Sequence, residues 1–137
     1  MKKLLFLFAA IIFCSQLKAQ NIKMFQTDSL SKIGDDTTFE NIYVKKIADD
    51  SLSTSSVIVI KKEVKLHYHA NHTENIIIIS GEADMVINNL LVSVRKGDMI
   101  NIPANSLHSV KVTSAKPLKV ISIQSPHFDG KDRIYME

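Results

Sequence analysis

The chain has 137 residues, enough for a single domain. Its 17 basic and 14 acidic residues give a formal charge of +3, but Lys2, Lys3 and Lys18 lie within residues 1–19, which hold no acid, so residues 20–137 carry 14 of each and no net charge. Nucleic-acid binding needs a basic patch or stripe, and with none in the sequence that class is set aside.

In chain order, Lys2 and Lys3 are followed by an apolar run from Leu4 to Phe13 and then by Ser15-Gln16-Leu17-Lys18-Ala19. A positive start, a short greasy centre and a small residue at the exit predict a secretory signal peptide over residues 1–19, cleaved after Ala19. The run is ten residues, about half of what a membrane-spanning helix needs. The expected location is therefore secreted or periplasmic, with no membrane association after cleavage. Cys14 invites a second reading, a lipid-modified cysteine at the cleavage point, but the bulky Phe13 before it speaks against that. Once residues 1–19 are removed no cysteine remains, so no disulfide can contribute to stability.

Residues 20–38 are polar and lack periodicity, which predicts an irregular N-terminal arm. Strands follow throughout residues 39–124: Phe39–Ile47, Val57–Ile60 after a Ser-rich turn, the approach to His67 through Val64 and Leu66, Ile76–Ile79, and Ala83–Ile87. Leu90–Val94, Met99–Ile102, His108–Val112 and Leu118–Ile123 complete the series, with Asn88-Asn89 as a hairpin-type turn. Short β-rich runs separated by turn signals predict an all-β sandwich or barrel with no helix. The four consecutive isoleucines break strict alternation, so both faces of that strand need cover, one from the interior and one from a second sheet or subunit. Residues 125–137 read as a loop that leaves the last strand and packs back on the domain, with His127 at the surface.

Four of the five histidines fall in two short regions. His67 and His69 are two apart and share one face of a strand. Glu74 opens the next strand with Ile76 and Ile78 on its side, and His108 opens another with Val110 and Val112. Imidazoles and a carboxylate facing an apolar interior need partners, and a shared cation satisfies all of them. A lone histidine near a strand end is usually structural, however, and a His-x-His pair alone does not establish a metal site.

The wider pattern resembles the cupin superfamily. Its first motif, Gly, five residues, His-x-His, three or four residues, Glu, six residues, Gly, is matched by His67-Tyr68-His69, Glu74 and Gly81. Its second, Gly, five residues, Pro-x-Gly, two residues, His, three residues, Asn, is matched by Gly97, Pro103 and His108. Lys61, Asn105 and Val112 depart from the pattern, and Asn105 stands where a left-handed turn would suit asparagine next after glycine. None of the three is a ligand position.

The resemblance implies an all-β, single-domain, jelly-roll β-barrel over residues 39–124, with one divalent metal ion held by His67, His69, Glu74 and His108. Mixed imidazole and carboxylate ligation suits Fe, Mn, Ni, Cu or Zn alike. His72 is a rival to Glu74; because the chain turns there, it is expected in the second shell or at the entrance, touching a ligand or orienting Glu74. The favoured function is a metalloenzyme acting on a small organic molecule, of dioxygenase, isomerase or decarboxylase type. A non-catalytic sugar- or metal-binding module, and a structural ion in a protein-interaction domain, are the alternatives. A homodimer formed through sheet surfaces is also expected.

Overall fold

The computed structural model describes residues 22–136. The expected signal peptide, Cys14 and the cleavage point lie outside the described residues. The elements in order are α1 (Thr27–Ser31), β1 (Ile42–Asp49), β2 (Thr54–Ile60), β3 (Glu63–Tyr68), β4 (Thr73–Ser80) and β5 (Glu82–Ile87). They continue with β6 (Leu90–Arg95), β7 (Met99–Ile102), β8 (His108–Val112), β9 (Leu118–Ser125) and β10 (Ile134–Tyr135).

The strands assemble into two five-stranded antiparallel sheets, ordered β1-β2-β9-β4-β7 and β10-β3-β8-β5-β6. Among the described residues the ladders do not close into one hydrogen-bonded barrel. What joins the sheets is a shared core of Ile60, Ile76, Ile78, Leu118 and Val120 from one, and Ala83, Met85, Val94 and Val110 from the other, with Ile102 of β7. Burying each large aliphatic side chain contributes roughly 1.5–3 kcal/mol, so this core is the main reason the sheets face each other.

The alternation of β4 fixes what faces inward. Glu74, Ile76 and Ile78 point into the space between the sheets, and Ile79 to the other face. That other face is covered by the chain's own arm. Leu30 of α1 packs with Val57, Val59 and Ile79, and Ile33, Phe39 and Tyr43 add to the cluster. The doubly apolar strand thus needs neither a second sheet nor a second subunit at Ile79. The arm is also not wholly irregular, since α1 is helical; five residues with one buried side chain are too short to show a helical period in sequence.

The turns follow their residue types. Asn88 and Asn89 both have positive φ, 45° and 70°, as the two central residues of a type I′ hairpin require. Asn105 has φ 65°, the left-handed conformation expected of it. The tail does more than pack back: β10 pairs antiparallel with β3, setting Ile134 opposite Tyr68 and Tyr135 opposite His67.

Candidate metal centre

Three strands converge on one point between the sheets. Along β3 the alternation slips, because Val64 pairs with Val110 and His67 with His108, three residues of one strand against two of the other. This bulge leaves Leu66 exposed and turns His67 inward, on the same side as His69 two residues later. His108, the first residue of β8, is His67's register partner, and the two rings lie 4.1 Å apart between centroids. His67, His69 and His108 are all buried, and one ligand nitrogen from each lies within 4.8 Å of the others.

The ring nitrogens are not equivalent. His67 Nδ1 donates to the Lys65 carbonyl at 2.8 Å, His108 Nδ1 to the Ser106 carbonyl at 2.9 Å, and His69 Nδ1 to the Asp132 carbonyl. A carbonyl can only accept, so each Nδ1 carries a proton, and in the neutral ring each Nε2 keeps a lone pair free for a cation. The Nε2 of His108 is buried with no hydrogen-bond partner. Burial, followed by the neighbouring His108 and Arg133, lowers the His67 pKa to about 4, which keeps it neutral and able to ligate.

Glu74 flanks this cluster, its Oε2 lying 3.6 Å from His69 Nε2 and 3.5 Å from His108 Nε2. Its Oε1 accepts a hydrogen bond from Ser122 of β9. Burial alone would raise the Glu74 pKa, but hydrogen bonds from His108 and His69 in their charged form, and from Ser122, outweigh it and hold the carboxyl well below its usual range. A carboxylate and three imidazoles aimed at one volume fit a divalent cation.

His72 lies outside the cluster. Its Nδ1 donates to the Asp132 carboxylate and its Nε2 to the His127 carbonyl, at 3.0 Å for the second. Both ring nitrogens are therefore engaged by the tail, and neither is left to orient Glu74 or meet a ligand. Burial lowers its pKa, the bonds to Asp132 and His127 raise it, and the net shift is upward. His127 keeps its own ring half-exposed, 3.3 Å from Asp49.

Several residues at the site carry no motif. Ser122 and Gln124 are buried polar side chains on β9, Gln124 approaching His69 Nε2 at 3.4 Å. Their signal was available: they continue the inward period of Leu118 and Val120, where a polar residue is out of place. Asp132 binds the Ala70 and Asn71 amides as well as His72, and Phe128 packs edge-on against both His69 and His72. These tail contacts span about sixty residues of sequence and have no local signature. Beside the histidines a cavity of about 40 Å³ opens, lined by His67, Glu74, His108 and Arg133 and otherwise by aliphatic side chains.

The profile of the cupin domain family matches residues 56–124, which hold all four candidate ligands. The chain belongs to the cupin family. An uncharacterized protein of Aquifex aeolicus is 28% identical over 98 residues, 72% of this chain and 80% of its own length. Among solved structures, the Bacillus halodurans protein BH2720 is similar at TM-score 0.70 and 15% identity, covering 85% of this cupin and 89% of that chain. Streptomyces PAC13, solved with uridine, is similar at TM-score 0.63 and 14% identity, covering 73% and 82%. At these identities the structural likeness is one of fold.

Proposed function

We propose that this cupin is a metalloenzyme acting on a small organic molecule outside the cytoplasm, with one divalent ion held by His67, His69, Glu74 and His108. The observation that carries the reading is the convergence of three Nε2 lone pairs whose Nδ1 protons are already committed to backbone carbonyls. A bound ion would supply Lewis acidity or an oxygen-binding centre for an oxidation, isomerisation or decarboxylation. The chain's own residues do the rest. Glu74 would offset part of the cation's charge, Ser122 fixes its second oxygen, and the largely aliphatic wall limits how much water shares the site.

That His67, Glu74 and His108 also line the cavity supports a ligand-taking centre over a merely structural ion, because a molecule entering it meets the same side chains. PAC13 belongs to the same fold, and the name nucleoside dehydratase attached to it is evidence that the scaffold can host chemistry, though fold does not choose the reaction. The signal-peptide pattern supports export, and mass spectrometry of exported protein is expected to find an N-terminus near Gln20; a retained Met1 or a lipidated Cys14 overturns that part.

Elemental analysis of protein purified without added metal tests the centre. About one equivalent of Fe, Mn, Ni, Cu or Zn per chain is expected. A chain that binds none of these, even after each is supplied in turn, overturns the reading. Tetrahedral zinc saturated by four protein ligands favours a structural ion instead.

A further inference from the structure

Arg133 enters the same cavity from the tail, immediately after the Asp132 that binds His72. Its Nε is buried without a hydrogen-bond partner. Among the described residues no carboxylate pairs with it: Glu74 faces His69 and His108, Asp132 faces His72, and Asp129 faces Lys131. A guanidinium is always charged, and although Arg133 as a whole is partly exposed, its buried Nε left unpaired is costly, so this arrangement suits an anion from outside the chain. Apart from Arg133, His67, Glu74 and His108, the cavity wall is apolar and includes Ile42, Val44, Ile58, Ile60, Met85 and Leu118.

We propose that the cavity receives a short carboxylic acid, its carboxylate bound by Arg133 and its apolar body lodged among Ile42, Val44, Ile58 and Ile60. This rests on the ligand-taking reading above and names the class of molecule taken. The fork of N–H donors on a guanidinium matches a carboxylate, and a neutral amide of the same shape offers only one acceptor oxygen. The volume sets the size. A cavity of about 40 Å³ has room for roughly three water-sized groups, which favours an acid of no more than about three carbons and excludes a sugar unless the tail moves. Ile42 and Val44 are partly exposed, so the apolar end of the acid points toward the way in, and its charged end toward Arg133 and the histidines.

The test uses the full mature chain, with metal content measured first on each sample. Propionate and pyruvate are titrated calorimetrically, with propionamide as the neutral control, and the cobalt-substituted protein gives a second readout through its visible bands. Wild type is expected to bind both acids saturably and propionamide at least 10-fold more weakly. Arg133→Met should lose acid binding by at least about 30-fold while keeping its metal and its fold, and Arg133→Lys, which retains charge but not the fork, should fall between. Equal binding of propionate and propionamide, or unchanged acid binding in Arg133→Met, overturns the proposal. So does loss of metal in both variants, which would make Arg133 part of the scaffold of the centre. Wild type that holds no metal yet binds propionate through Arg133 would sink the metal reading and leave the acid site standing.

Discussion

Three histidines are held by the same device, an Nδ1–H that donates to a backbone carbonyl. For His67 and His108 the carbonyl is two residues back, on Lys65 and Ser106. For His69 it belongs to Asp132, so the orientation of one proposed ligand depends on the tail. Partners of this kind typically change metal affinity 10- to 100-fold when lost. Alanine at His67, His69 or His108 is therefore expected to abolish stoichiometric metal, and Glu74→Ala to weaken binding by at least 100-fold. Asp132→Ala should weaken it by about 10-fold, because it frees the tail that supplies the His69 acceptor. His72→Ala should keep most of the metal. Competition with a chromophoric chelator measures all of these, and metal lost from His72→Ala but kept by Glu74→Ala would reverse the assignment.

At the scale of the elements, two joints hold the site in register. One is Gly81, between β4 and β5, whose φ of +81° favours glycine and where a Cβ would lie 2.6 Å from the Pro117 carbonyl and 2.8 Å from the Leu118 Cα. Both contacts are backbone and cannot swing away. Gly81→Ala is expected to cost about 2–3 kcal/mol, seen as a fall in Tm of about 10 °C. The other joint is where the tail leaves β9: the Phe128 amide donates to the Thr54 hydroxyl at 3.0 Å, and that hydroxyl donates to Asp49 at 2.7 Å. Lys46 first, then Thr54, lower the Asp49 pKa to about 2. A carboxyl depressed on folding adds stability above its unfolded value of about 3.8, and loses it as pH falls through about 2. The Tm difference between wild type and Asp49→Asn should therefore be constant at neutral pH and shrink steadily as pH falls from about 3.8 towards 2; a difference undiminished at pH 2 would count against the anchor.

For the molecule as a whole, a ligand that binds only the folded state stabilises it by mass action. At a free metal concentration 1,000 times Kd the gain is about 4 kcal/mol, so stripping the metal with a chelator should lower Tm by roughly 15 °C, and restoring it should reverse the fall. A Tm indifferent to chelation would exclude a tight ion at this centre. Pairing of two copies, expected from the sequence, is proposed as well. Ile79 cannot report on it, because that side chain is buried under the chain's own arm. Edge strand β6 presents Leu90 and Leu91, 69% and 70% exposed, together with Val92, and an exposed apolar edge is where a second copy would gain most. Light scattering at micromolar concentration is expected to give a dimer mass that Leu91→Lys reduces to that of a monomer; a monomeric wild type defeats the idea.

What the residues determine by themselves here is what depends on near neighbours. The two-residue period set His67 beside His69 and put Glu74 on the inward face with Ile76 and Ile78. Residue type set the left-handed turns at Asn88, Asn89 and Asn105, and the spacing of Gly81, Gly97 and Pro103 carried the family. What only the tertiary structure decided is what closes over long distances. The bulge before His67, the arm that covers Ile79, the pairing of β10 with β3 and the arrival of Asp132 and Arg133 at the histidines all join segments far apart in the chain. Their partners are chosen by which surfaces remain uncovered once the sheets have packed, and no local pattern of residues records that choice.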